Sequence, residues 1–92
     1  MALADENEIN EFLGQNPGWA RDHDSIVGEF ELKDFNEAIG FVARVALAAE
    51  KADHHPDIDI RWNKVRLVLS THSEGGLTRK DFDLGTKIAS LT

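Results

Sequence analysis

Apolar positions along the chain switch between two periods, helical and alternating, and the switches mark out the elements. Ile9, Phe12 and Leu13 recur at helical steps behind Asp5 and Glu8, which stand at capping-box spacing. A short first helix follows from this, stopped by Gly14 and the Asn16, Pro17, Gly18 run. Between Ser25 and Leu32, the residues Ile26, Phe30 and Leu32 share one parity while Glu29 and Glu31 take the other, as in a half-buried strand. Trp19, just after the turn, opens its hairpin partner. Asp34 and Glu37 make a second capping-box pair at the start of the longest helix. Phe35, Ala38, Ile39, Val42, Val45, Ala46 and Ala49 form its apolar stripe. Phe41, Leu47 and Ala48 fall outside that stripe. Either Phe41 is peripheral on an alanine-rich helix, or the surplus face serves a helix–helix contact between subunits.

This helix must end near His54, because the residue before Pro56 is pushed out of the helical region. Ile58, Ile60 and Trp62 then alternate as a strand, Asn63 and Lys64 turn the chain, and Val65, Leu67 and Leu69 alternate again. Ser73 to Gly76 reads as a loop. Thr78 and Asp81 form a third capping-box pair, with Leu77 and Phe82 at the positions of a hydrophobic staple, and Leu84, Ile88, Ala89 and Leu91 continue the final helix. The order α-β-β-α-β-β-α predicts an α+β two-layer sandwich, a four-stranded antiparallel sheet with helices packed on one face. Residues 1–92 are expected to form one domain.

Composition narrows the functions open to such a fold. At 92 residues and 41% hydrophobic content the core is modest, and association with further copies would enlarge it. Without cysteine there is no disulfide, thiol nucleophile or thiolate metal site. A net charge of -7 argues against a nucleic-acid partner, since phosphate-backbone affinity rests on clustered Lys and Arg. No run reaches the roughly 20 apolar residues of a membrane helix, and the N-terminus lacks a signal-peptide pattern. A soluble, cytoplasmic protein is expected.

Against this plain background the stretch EKADHHPD (50–57) stands out. His54 falls at the helix end and His55 is held extended by Pro56, so the two rings diverge. That suits opposite edges of a small substrate better than one metal ion. Were the helix to reach position 54, Glu50 would lie one turn back and could hydrogen-bond His54, favouring its use as an acid. On spacing alone Glu50 and Asp53 are equally well read as solvated helix-end charges. His72 ends the second hairpin on the parity opposite the Val65, Leu67, Leu69 row, beside a glycine-containing loop, where a histidine can be idle or part of a site. Asp81 has a structural role available as a capping residue, and His23 lies in a polar turn without pattern. Three imidazoles and no thiol suggest proton transfer, one ring donating while another accepts near neutrality.

Glu50, His54, His55, Pro56, Trp62, His72 and Asp81 together stand at the intervals of a known signature, and on them the chain resembles the pterin-4a-carbinolamine dehydratase family. The Gly18, Trp19 pair and the Ser70, Thr71, His72 strand end are similar to that family as well. The resemblance spans nearly the whole chain. It implies dehydration of 4a-hydroxytetrahydropterin to quinonoid dihydropterin, in tetrahydropterin recycling, with no metal or other cofactor. It also implies His54, His55 and His72 as catalytic residues, with Glu50, Asp53, Pro56, Trp62, Thr71 and Asp81 supporting them or the substrate. Trp62 stands where tyrosine is more usual. Family members form homodimers and homotetramers by joining sheets and packing helices, and animal members double as dimerisation cofactors for a transcription factor. Two alternatives therefore stay open: a non-catalytic binding module serving a transcription regulator, and a metal site built from His54 or His55 with His72 and an aspartate.

Overall fold

A computed structural model describes residues 2–92. Its elements follow the expected order: α1 (Glu6–Gln15), β1 (Trp19–Asp22), β2 (Ser25–Glu31), α2 (Phe35–Ala52), β3 (Asp57–Arg61), β4 (Lys64–Leu69) and α3 (Arg79–Ala89), with a 3-10 turn at His72–Glu74 before α3. The strands form one antiparallel sheet in the order β1-β2-β4-β3, so β1 and β3 are its edges. Along β4, Val65, Leu67 and Leu69 are buried while Lys64 and Arg66 are exposed, and this alternation leaves one face of the sheet for the helices. Among the described residues no helix is long and apolar enough to cross a membrane.

Local chemistry sets the helix starts. Asp5 and Glu8 make both halves of their capping box, and so do Thr78 and Asp81. The pair at α2 is only half made: Asp34 accepts from the Glu37 amide at 2.8 Å, and the return bond is missing. The anchoring of β1 explains two glycines. A Cβ on Gly28 would sit 2.8 Å from the Phe30 ring and 3.1 Å from the Trp19 indole that lies over it. A Cβ on Gly85 would come 2.9 Å from the Phe12 ring, and the Gly85 carbonyl accepts from Trp19 Nε1 at 3.1 Å.

The stripe by which α2 meets the sheet differs from the expected one. Ala38, Phe41, Val45 and Ala49 are at most 1% exposed, whereas Phe35 is 53% and Ile39 42% exposed. Phe41 is therefore a core residue, its ring centroid 5.0 Å from that of Phe30. Apolar residues cover so much of this helix that periodicity admits two neighbouring stripes. The sheet takes the one that buries the larger Phe41 between small alanines, which let the helix approach closely. Among the described residues the exposed large apolar side chains are Phe35, Ile39 and Leu47 on α2, Ile58 on the edge strand β3, Trp62, and Leu3 near the N-terminus.

Two boundaries also move. The strand β3 stops at Arg61, and the turn is made by Trp62 and Asn63, with Trp62 at φ 55 and 69% exposed. Further back, α2 stops at Ala52, and Asp53 takes a left-handed conformation, φ 51 and ψ 45. Its amide donates to the Glu50 carbonyl at 3.2 Å and that of His54 to Ala49 at 3.0 Å, closing a Schellman-type turn without glycine.

Candidate active site

The turn at Asp53 decides where the adjacent histidines go. By ending the helix two residues early it swings His54 inward, to 8% exposure, and leaves the His55 side chain 58% exposed. The expected pairing of Glu50 with His54 is therefore replaced by another. Glu50 Oε1 lies 2.7 Å from Nε2 of His55, while Nε2 of His54 meets Oδ1 of Asp81 at 2.6 Å.

Asp81 is wholly buried and fully engaged. Its Oδ2 accepts from the Thr71 hydroxyl at 2.8 Å and from the Thr78 amide at 2.9 Å. The Thr71 and Thr78 hydroxyls are 2.8 Å apart. Since Thr71 spends its one proton on Asp81, the Thr78 hydroxyl must be the donor between them. Thr78 Oγ1 in turn accepts from the Lys80 amide at 3.2 Å. The His54 ring, the Thr71 hydroxyl and the Thr78 amide converge on one carboxylate, which assigns the proton on Nε2 of His54 by its partner and leaves Nδ1 without a protein partner among the described residues. The capping role read for Asp81 is real but is half of what its carboxylate does.

The β3–β4 hairpin supplies the other side. β4 returns the chain to the level of His55, and an isolated bridge between Thr71 and Gly76 folds the following loop back, with Gly75 at φ 77. His72, exposed on the 3-10 turn, thereby joins Asp53, His54, His55, Thr71 and Lys80 around a polar cleft of about 290 Å³. Pro56 separates His55 from β3 and does not line the cleft. Nor does Trp62, at the far end of β3. Five strand residues at about 3.3 Å each set it well away from the histidines. Within one chain, Trp62 is not part of this site.

Sequence reasoning missed Thr78, read only as a helix cap, and gave Lys80 no role. The signal for Thr78 was present, since a capping box ties it to Asp81; for Lys80 there was none. Among the described residues no group of three His, Asp or Glu side chains is placed to hold a metal ion.

Comparison with known proteins bears on this arrangement. The family profile described as pterin 4 alpha carbinolamine dehydratase matches residues 2–91. A provisionally named pterin-4-alpha-carbinolamine dehydratase of Roseiflexus castenholzii is 56% identical over 90 residues, 98% of this chain and 97% of that one. One from Sulfolobus acidocaldarius is 46% identical, over 95% of this chain and 96% of its own. Among solved structures, a transcriptional coactivator/pterin dehydratase from Brucella melitensis superposes with a TM-score of 0.92 at 40% identity, covering 97% of both chains. A pterin dehydratase-like RuBisCO assembly factor of the alpha-carboxysome shares the fold alone, with a TM-score of 0.67 at 15% identity over 79% of this chain and 84% of that one.

Proposed function

Because the chain belongs to the pterin 4 alpha carbinolamine dehydratase family, a family of hydro-lyases, we propose that it removes water from 4a-hydroxytetrahydropterin by histidine acid/base catalysis. The observation that carries the reading is the meeting of His54, His55 and His72 on one small polar cleft. Dehydration breaks the C4a–O bond. The departing oxygen takes a proton and leaves as water, the N5–H proton goes to a base, and the remaining electron pair closes the C4a–N5 double bond of the quinonoid dihydropterin. An acid and a base must therefore act on adjacent atoms, each supplying about 10²–10⁴-fold.

We assign His54 and His72 to the hydroxyl and His55 to the pterin and its N5 proton. Glu50 on Nε2 of His55 and Asp81 on Nε2 of His54 orient both rings in the same way and leave Nδ1 of each for proton transfer. Asp81 and Thr71 hold His54 from behind, and Asp53 shapes the cleft as the residue that turns the chain. The product would feed tetrahydropterin recycling. Exposed Phe35 and Ile39 on α2, with Ile58 on the unpaired edge of β3, support a homodimer or homotetramer that joins sheets or packs helices.

The test is stopped-flow absorbance of a freshly generated 4a-carbinolamine with the wild-type protein, His54→Ala, His55→Ala and His72→Ala. Faster loss of carbinolamine that collapses in the variants is expected. A rate equal to the spontaneous one from folded protein would defeat the enzymatic reading. It would favour a second one, in which the same α2 side chains bind a protein partner, as the coactivator description of the Brucella protein suggests.

A further inference from the structure

The histidine cleft adjoins a larger one. A cavity of about 450 Å³ lies between the last turns of α2 and one face of α3, and His54 and Lys80 line both spaces. Its size is that of a small-molecule site. The spacing that builds it is simple: Ala48, Lys51 and Ala52 share one face of α2, and Lys80, Asp83, Leu84 and Lys87 share one face of α3. Alanine at 48 and 52 keeps the groove open where longer side chains would fill it.

The charge of this groove is contrary to that of the molecule. The chain has a net charge of -7, yet three of its five lysines (33, 51, 64, 80 and 87) stand here beside one carboxylate, Asp83. None of Lys51, Lys80 and Lys87 has an ion-pair partner among the described residues, whereas Lys64 on the sheet lies 3.9 Å from Glu31. Unpaired ammonium groups around an apolar floor suit a ligand with an apolar body and an anionic end.

The chemistry of a pterin connects the two clefts. The reacting atoms are C4a and N5, and N5 is bonded directly to C6, which carries the ring's substituent. With C4a and N5 in the polar cleft, the substituent starts one bond from N5, and the lysine groove opens from that cleft at His54 and Lys80. We propose that this groove is a subsite for the C6 substituent, and that it selects pterins whose substituent ends in carboxylates on an apolar linker. The placement of the ring rests on the dehydratase reading; the binding preference can be measured without it.

Three 7,8-dihydropterins differing at C6 test the subsite by isothermal titration calorimetry at low salt: dihydrobiopterin, with a neutral substituent; dihydrofolate, with a carboxylate-ended one; and dihydroneopterin phosphate, with a short phosphate ester. With two exposed ion pairs gained, dihydrofolate is expected to bind roughly 10-fold tighter than dihydrobiopterin. That gap should shrink to about twofold or less in a Lys51→Ala, Lys87→Ala double variant and in 0.5 M sodium chloride, where the Debye length is a few ångströms. Equal affinities in the wild type, or a gap that survives both lysine substitutions, would overturn the subsite. Tighter binding of the phosphate ester than of dihydrofolate would overturn the choice of carboxylate. Absence of carbinolamine dehydration together with an intact, lysine-dependent gap would remove the dehydratase reading and leave the subsite standing.

Discussion

His54 Nε2 and Asp81 Oδ1 meet at 2.6 Å across 27 residues of sequence, and this buried contact joins the C-terminal end of α2 to the first turn of α3. The same carboxylate caps α3 through its other oxygen. One side chain thus holds both a helix start and a ring orientation.

Removing that carboxylate should affect stability and turnover together. Asp81→Ala leaves a buried imidazole, hydroxyl and amide without their acceptor and is expected to cost about 3–5 kcal/mol. The milder Asp81→Asn is expected to cost about 1–3 kcal/mol and to lower the dehydration rate about 100-fold. Urea denaturation followed by stopped-flow assay of the folded fraction separates the two effects. Wild-type turnover in folded Asp81→Asn would mean that His54 needs no orientation from this residue.

Thr71→Val keeps the shape of the side chain and removes its hydroxyl. The Thr78 hydroxyl then loses its acceptor and Asp81 one donor, for an expected loss of about 1–3 kcal/mol. A midpoint unchanged in chemical denaturation would contradict the chain of bonds from Thr78 through Thr71 to Asp81. The reciprocal variant, Thr78→Val, should cost more, because it also removes the oxygen that caps the Lys80 amide.

Glu50→Gln separates the observed pairing from the expected one. Glu50 is 79% exposed, so stability should change by no more than about 0.5 kcal/mol. Turnover should fall about tenfold if orienting His55 matters as outer-shell partners do elsewhere. The ring NMR signals that move should be those of His55, with those of His54 in place.

The two stripes of α2 make opposite predictions. Phe41→Ala, at 0% exposure, should cost about 3–5 kcal/mol. Phe35→Ala, at 53%, should leave the fold of the isolated chain nearly untouched and instead weaken self-association in sedimentation. An equal loss of stability in both would argue against an α2 that buries Phe41 and exposes Phe35.

Most of the fold was legible in the sequence because its cues are local. Capping pairs at Asp5 and Thr78, alternation along Val65, Leu67 and Leu69, and the restriction before Pro56 each act within a few residues. The orientation of α2 was not legible, since only the opposing sheet chooses between two apolar stripes. The histidines, Thr71 and Asp81 were legible as a set through a resemblance, but the partner of each ring was not. That depended on a left-handed Asp53, a conformation any sequence rule would sooner give to glycine. Trp62 was misplaced because a strand pattern carries over into a turn residue without changing parity.

The β3–β4 register has a bearing on how reliably the cleft is made. Asp57 pairs with Val68 and Ile58 with Leu67, and beyond the open end of this hairpin His55 and His72 line one cleft. A one-residue slip of β4 in the sheet would turn Val65, Leu67 and Leu69 from the interior to water, at about 1.5–3 kcal/mol for each side chain. The spacing between the two imidazoles is thus metered by oily residues on the opposite parity. Loop substitutions at the rim can change what the cleft prefers to bind, while the distance across it stays where the core has set it.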